Sequence, residues 1–162
     1  MLNFYNFHNK KLDRHDQLFD EIQIWNHKKY GYPFQYLPNI IKRIPRDACI
    51  YVDTNIKGRW IEAEPIIMRN SYYAYRYARY TLKCRWPEAE PHILMSPWNS
   101  CEYAIYVIKG RWPEAEPIIM MKTNFACKYA EHVLKERWIE AEPYMDKDDM
   151  TYSFYKDVFN IC

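Results

Sequence analysis

The sequence predicts an all-α protein, a short α-solenoid built from helical-hairpin repeats of 26 residues with degenerate capping ends. The first observation is the phrase KGRWIEAEP, which begins at Lys57 and returns as KCRWPEAEP, KGRWPEAEP and KERWIEAEP. Its tryptophans follow one another at intervals of 26 residues: Trp60, Trp86, Trp112 and Trp138. The second observation is that alanine, tyrosine and isoleucine columns keep the same register around the phrase. A fixed period of this size indicates stacked supersecondary units, each of which buries its apolar surface only against its neighbours.

The ends of the chain are predicted to cap the stack. Residues 1–32 form an N-terminal capping segment, with a helix expected near His15–Lys29. The repeat columns extend back before the first tryptophan, so residues 33–58 are expected to be a degenerate unit with Phe34 in the tryptophan place. The predicted segments that follow are 59–84, 85–110, 111–136, the start of the last unit at 137–145, and a C-terminal capping helix in 146–162, near Asp149–Asn160.

The first helix of each unit is expected to begin close to the tryptophan. Pro87 and Pro113 suit a first helical position, and the glutamates beside them suit the positive end of a helix dipole. A second proline four residues later, such as Pro91, lacks the N–H that an intrahelical bond would need. The sequence therefore leaves two alternatives: the helix begins nearer Glu90, or its first turn is loose.

The second helix has the clearer pattern. In SYYAYRYARYTLK, the residues Ala74, Tyr77, Ala78 and Leu82 share one face at helical spacing. Residues suited to an N-cap or first helical position precede this helix in three units: Asn70–Ser71, Ser96–Pro97 and Thr123–Asn124. A lysine is expected in the last turn, favoured by the helix dipole, and Gly58 and Gly110 are expected to be left-handed C-caps.

Composition restricts the class of protein. The chain has 162 residues, 49% of them hydrophobic, and a net charge of only +2, which disfavours strong attraction to nucleic acid or to anionic membranes. Five cysteines without a CxxC pair favour free thiols in a reducing cytosol. The beginning of the sequence has no apolar signal region, and no apolar run approaches the roughly 18 residues of a membrane span. We therefore expect a cytoplasmic protein that has no membrane partner.

The repeated phrase also resembles a known repeat. GRWPEAEP, followed by the pattern YA..YA..V(I/L)KGRW, is similar to units that occur as tandem arrays in proteins of tailed bacteriophages. The resemblance covers about residues 57 to 143 and implies a helical repeat architecture in a phage accessory protein that acts in the host cytosol. It supplies no catalytic residues. The first 32 residues and the C-terminal tail depart from the pattern.

Several residue groups could carry chemistry, but each has a simpler structural interpretation. The Arg–Trp pairs could grip a phosphate, yet a residue kept in every unit more often packs the units together, with the arginine paired to a neighbouring glutamate. The paired glutamates recur four times, which does not fit a single acid–base site. The N-terminal set His8, Asp13, His15 and Asp16 has metal-ligand residue types at a spacing that matches no metal motif. We expect no enzyme activity, no cofactor and no metal.

The least ordinary feature is the outward face of the second helix around residue 76. Tyrosine and arginine together are typical of binding hot spots and of RNA-stacking surfaces. We expect a partner-binding surface formed by Tyr72, Tyr73, Arg76, Arg79, Tyr80, Lys83, Trp98 and Ile105. A host protein is the expected partner, and an inhibitor of a host defence protein is the concrete form of that hypothesis. Nucleic acid is the alternative partner, and self-association of the stack stays open.

Overall fold

The computed structural model describes residues 43–161, and within that range all regular secondary structure is helical. The all-α class predicted from the sequence is confirmed for these residues. The α-helices are α1 (Pro45–Tyr51), α2 (Glu64–Ile67), α3 (Ser71–Arg76), α4 (Glu90–Ile93), α5 (Pro97–Tyr103), α6 (Glu116–Ile119), α7 (Thr123–Tyr129) and α8 (Met150–Phe159). The helix predicted near His15–Lys29 and the tryptophan-like Phe34 lie outside the described residues.

The first helix of each unit is short and has a 3₁₀ turn in front of it in the first two units. Ile61–Ala63 precedes α2, and Pro87–Ala89 precedes α4. Each short α-helix then begins at a glutamate, so the second proline falls at its second position. The first N–H groups of a helix have no intrahelical acceptor, and a proline there removes no bond. Both alternatives left by the sequence are therefore realised, one after the other along the chain.

The second helices α1, α3, α5 and α7 widen into a π-helical segment before they end. The four segments are Val52–Ile56, Tyr77–Leu82, Ala104–Ile108 and Ala130–Leu134. Each is followed by a lysine in the left-handed region, with φ of 53° at Lys57, 56° at Lys83, 57° at Lys109 and 58° at Lys135. The prediction that Gly58 and Gly110 are the left-handed C-caps is wrong, since the lysine one residue earlier takes that conformation. This is why Cys84 and Glu136 can replace glycine in the other units.

The residues predicted for an N-cap or first helical position take those places in all three units, with a side-chain cap in two of them. The Asn70 side chain accepts hydrogen bonds from the N–H groups of Tyr72 and Tyr73, and the Ser96 hydroxyl accepts one from Asn99. In α7 the N-cap is Lys122, and no side chain caps the helix. Thr123, which the sequence predicts to lie near this start, instead accepts a hydrogen bond at 2.7 Å from the N–H of Asp146 in the next unit.

Successive second helices pack side by side, in the order α1, α3, α5, α7 and α8. The predicted alanine and isoleucine columns are buried between them, as are all four repeat tryptophans. Each indole lies against the ring of a tyrosine on the preceding second helix. The ring centroids are 5.4 Å apart for Tyr51–Trp60, 5.2 Å for Tyr77–Trp86, 5.1 Å for Tyr103–Trp112 and 5.1 Å for Tyr129–Trp138. The tryptophans thus fill the seams between units, as the sequence predicts.

A hydrogen-bond network closes each unit. In the central unit the Tyr103 hydroxyl accepts from the backbone N–H of Trp86 at 2.6 Å and donates to Glu90 at 3.2 Å. Arg85 donates to both carboxylate oxygens of Glu90, at 2.5 and 2.9 Å, which confirms the predicted Arg–Glu pairing. The same network recurs around Tyr77, Tyr129 and Tyr155. Burial raises the pKa of these hydroxyls, to about 12 for Tyr77, so they stay protonated and can donate.

Helix α8 takes the place of a second helix in the last unit. Its Tyr155 accepts from the N–H of Trp138 at 2.8 Å and donates to Glu142 at 2.9 Å, which is the arrangement of the three preceding units. Asp149 caps the helix through the N–H of Thr151. The helix expected near Asp149–Asn160 is therefore present, and it continues the packing of the repeats with a sequence that departs from theirs.

The left-handed lysines generate a prediction about stability. A side chain at positive φ costs free energy that glycine does not pay, so Lys83→Gly should be more stable than Lys83→Ala by about 1 kcal/mol. The alanine variant controls for loss of the charge. Urea unfolding followed by far-UV circular dichroism measures both. Equal midpoints for the two variants would contradict the assigned conformation.

The tyrosine network generates a second prediction. Tyr103→Phe removes the acceptor for the Trp86 N–H and a donor to Glu90, and it should lower the free energy of unfolding by about 1–3 kcal/mol. The matched control is Tyr106→Phe, because the structure gives that hydroxyl no hydrogen bond within residues 43–161; it should stay within about 0.5 kcal/mol of wild type. Denaturant unfolding that shows no difference between the two variants would overturn the role of the network.

Candidate partner-binding groove

A cavity lies between α3 and α5 on the outward side of the second helices. We call it the α3/α5 groove. It has a volume of about 370 Å³ and is lined by Tyr72, Tyr75, Arg76, Arg79, Tyr80, Trp98 and Glu102. Five side chains come from α3 and its π-helical segment and two from α5. The groove is therefore formed by the packing of two neighbouring repeat units.

Five of the eight residues predicted from the sequence line this groove: Tyr72, Arg76, Arg79, Tyr80 and Trp98. The other three lie beside it. The Tyr73 ring makes an edge contact with Tyr72 at 5.1 Å and is half-buried, Lys83 is the left-handed residue that ends the helix, and Ile105 is half-buried. Ile105 is thus less exposed than a residue expected to contact a partner on the outward face. Among the residues that line the groove, the exposed aromatic side chains are Tyr80, Trp98 and Tyr72, at 52%, 40% and 38%.

Two groove residues were missed as site residues. Tyr75 shares a repeat column with Cys49, Cys101 and Cys127, which indicates a packing residue. It is indeed buried, but it also lines the groove, and its hydroxyl contacts Arg79 and Glu102. Glu102 occupies in α5 the position that Arg76 occupies in α3. The 26-residue register places this carboxylate across from Arg79, and that alignment was the signal that could have found it.

A charged cluster joins three second helices at the groove. Lys128 of α7 donates a short hydrogen bond to one oxygen of the buried Glu102 carboxylate. Tyr75 donates to the other oxygen at 3.4 Å, and the Arg79 guanidinium lies 3.9 Å from it. Arg79 also donates to the Tyr75 hydroxyl, whose pKa burial raises to about 12. The Glu102 carboxylate is thus surrounded by donors from three second helices.

The second arginine of the groove has a different partner. The Nη2 atom of Arg76 donates to Asp53 on the π-helical end of α1 at 3.0 Å. Its Nε atom is shielded from solvent and has no hydrogen-bond acceptor within the described part of the chain. Both arginines are therefore tied to a neighbouring helix by a carboxylate, one to the preceding unit and one to the following unit.

Aromatic rings hold the arginines and form one wall. The Arg79 guanidinium carbon lies 3.6 Å from the Tyr106 ring centroid and 5.0 Å from that of Tyr80. Tyr72 and Trp98 stack with centroids 5.8 Å apart and an interplanar angle of 24°. Stacking of a guanidinium on a tyrosine ring is favourable and restricts its motion. The groove thus combines a fixed cationic side with a partly exposed aromatic wall.

The equivalent position between α7 and α8 has a different character. A cavity of about 160 Å³ lies there, with Phe154 and Val158 on its rim, 63% and 52% exposed. Phe154 stands where Arg76 and Glu102 stand in earlier units. The outward position of the second helix therefore changes along the repeats from a cation to an anion, back to a cation at Lys128, and then to an apolar residue.

The described residues offer little for covalent or metal chemistry. Burial raises the pKa of Cys49 and Cys101 to about 12 and that of Cys127 to about 11, so these thiols do not form reactive thiolates at neutral pH. No group of three His, Cys, Asp or Glu side chains there is placed to hold a metal ion. The predicted surface set His8, Asp13, His15 and Asp16 lies outside the residues described. No helix in residues 43–161 has the length and apolar character to span a bilayer.

Comparison of the chain with protein-family models, with curated proteins and with solved structures finds no match.

The cluster around Glu102 generates a prediction of its own. Lys128→Met and Glu102→Gln should each destabilise the fold, and the double variant should lose about 1–2 kcal/mol less than the sum of the two, because the partners stabilise one another across α5 and α7. The exposed Glu140→Gln serves as control and should change the free energy of unfolding by less than about 0.5 kcal/mol. Strict additivity in a denaturant double-mutant cycle would show that the pair does not interact.

Proposed function

We propose that this chain is a short α-solenoid that acts as a non-enzymatic protein-binding module through the α3/α5 groove. The solenoid interpretation is supported by the side-by-side order of the second helices and by the network that recurs in four consecutive units. Proteins of this kind present extended faces whose outward residues can vary while the packing residues stay fixed. The groove is such a variable part of the outward face.

The observation that carries the proposal is the composition of the groove. Exposed tyrosine and tryptophan beside arginine are the residue types that dominate binding energy at protein interfaces. They lie on helices, which hold them more rigidly than a loop would. A rigid aromatic surface loses little conformational entropy when a partner binds.

Nucleic acid is the second candidate, since Tyr72, Tyr80 and Trp98 could stack on bases and the arginines could contact phosphates. The geometry favours it less. Arg76 is paired with Asp53 and Arg79 lies beside Glu102, so two carboxylates stand next to the groove's two arginines. A phosphate backbone would approach these carboxylates as well as the cations. A protein surface can present one acidic group to the cations and keep others away from the carboxylates.

The resemblance of the repeated phrase to units of tailed-bacteriophage proteins supports a more specific proposal. A phage accessory protein acts inside a bacterial cell, so the partner would be a host protein, and an inhibitor of a defence protein is the concrete case. The cytoplasmic location belongs to the same proposal.

Affinity capture from a nuclease-treated bacterial lysate tests the proposed function. The wild-type chain should recover a protein in near-stoichiometric amount, and a Tyr80→Ala/Trp98→Ala variant should lose it, because both side chains are exposed in the groove. The matched control is Ile61→Ala/Met121→Ala, which removes apolar side chains outside the groove that are more exposed, at 67% and 70%, and should retain the partner.

Three results would contradict the proposal. They are no recovered protein although the wild-type chain is folded, a partner that the groove variant retains, and a protein captured from untreated lysate but lost from the nuclease-treated one. The last would favour the nucleic-acid alternative. That alternative is measured directly by oligonucleotide binding, whose affinity must fall steeply as the salt concentration rises.

A further inference from the structure

The charges around the α3/α5 groove leave a small cationic surplus. Three cations, Arg76, Arg79 and Lys128, stand against two carboxylates, Asp53 and Glu102. One positive charge is therefore not compensated within the cluster. A single carboxylate on a partner would balance it, whereas a chain of phosphates would bring several negative charges close to Asp53 and Glu102.

The arginines also keep hydrogen-bond donors to spare. Within the described residues Arg76 donates to Asp53 from Nη2 and interacts with the Tyr72 hydroxyl, and Arg79 donates to Tyr75 from Nη1. A guanidinium has further N–H groups arranged in a plane, and a carboxylate accepts two of them side by side. Arg76 ends α3 and Arg79 lies three residues later on the π-helical segment, and both side chains line the groove. The free donors thus match an incoming carboxylate.

The wall beside the arginines is apolar and partly exposed. Tyr72 and Trp98 stack against each other, and Tyr75 closes the inner side with its ring edge-on to Trp98 at 6.1 Å. The cavity of about 370 Å³ is at the lower end of the roughly 300–1,000 Å³ range of ligand pockets, enough for a few side chains and too small for a packed helix. An apolar side chain next to the carboxylate would fill it.

Resting on the proposed function, we propose that the α3/α5 groove binds a short acidic segment of the partner protein. One Asp or Glu carboxylate of that segment is bound by Arg76 and Arg79, and a neighbouring aromatic or aliphatic side chain packs on Tyr72 and Trp98. The charge surplus selects a single acidic group, and the aromatic wall selects an apolar neighbour. Recognition of an acidic motif by paired arginines is an established mode of peptide binding.

Selection from a ribosome-displayed library of random short peptides on the immobilised full chain tests this proposal. Because the library samples all sequences, the result does not depend on guessing the partner's segment. We expect enrichment of peptides with Asp or Glu next to Phe, Tyr, Trp or Leu. Selection on an Arg79→Gln variant should lose the acidic preference, and selection on Trp98→Ala should lose the apolar one. Selection on the Met121→Ala control should give the wild-type result.

The enriched peptide is then synthesised with a fluorescent label, in parallel with an isosteric form that carries Asn or Gln in place of the acid. Loss of the charge should weaken binding to wild type at least about tenfold, as expected for hydrogen bonds to a charged group, and should have little effect on binding to Arg79→Gln. Far-UV circular dichroism confirms that the variants are folded. An equal loss on both proteins would show that the arginine does not bind the acid.

The remaining outcomes overturn the proposal. They are no enrichment, enrichment of basic peptides, or binding of labelled oligothymidylate that depends on Arg79 and exceeds that of any peptide. These results are distinguishable from failure of the proposed function. A protein captured from lysate through Tyr80 and Trp98, without an acidic preference in the library, would leave the binding module intact and remove only the acidic segment.

Discussion

The fold depends on one buried hydroxyl group in each unit. The backbone N–H of a repeat tryptophan is enclosed between helices, where water cannot satisfy it, and a tyrosine hydroxyl 17 residues later accepts its hydrogen bond. The same hydroxyl donates to a glutamate 13 residues before it. These two hydrogen bonds fix the position of the second helix along the first helix of its unit. They explain why Trp, Glu and Tyr recur at constant spacing, and why an arginine beside the tryptophan is kept to hold the carboxylate.

Because this network lies on the inner side of the second helix, the outer side is free to vary. The position of Arg76 is Glu102 in the next unit, Lys128 in the one after and Phe154 in α8. Arg76 pairs with Asp53 of the preceding unit, while Glu102 binds Lys128 of the following one, so neighbouring units recognise each other by different ion pairs. Units with similar interiors thus acquire individual surfaces, and the pair α3/α5 combines two arginines with exposed aromatic rings in one groove.

How much of this the sequence predicts depends on whether the signal is periodic. The helical class, the buried tryptophans and the Arg–Glu pairs follow from residues that recur in every unit, and all three are present. The left-handed conformation of the lysine cannot be predicted from the repeated residues, because it depends on the π-helical segment that ends each second helix. The segment ends directly before the lysine, so the left-handed residue is the lysine and not the glycine after it. The role of Tyr75 and Glu102 does not follow either. Each looks like a packing or surface residue in its own unit, and its function arises only when α3 and α5 are placed side by side.

The groove's pairing of arginines with carboxylates has a consequence for how tightly it can bind. A free arginine loses considerable side-chain entropy when it is ordered by a ligand. Arg79 is already held by Tyr75, Tyr106 and Glu102 before any partner arrives, so much of that cost is met during folding. The same carboxylates that reduce the net charge therefore preorganise the donors. A groove built in this way gains less binding affinity from long-range electrostatic attraction and more from complementary shape. It discriminates between partners by the position of a single charge beside an apolar side chain.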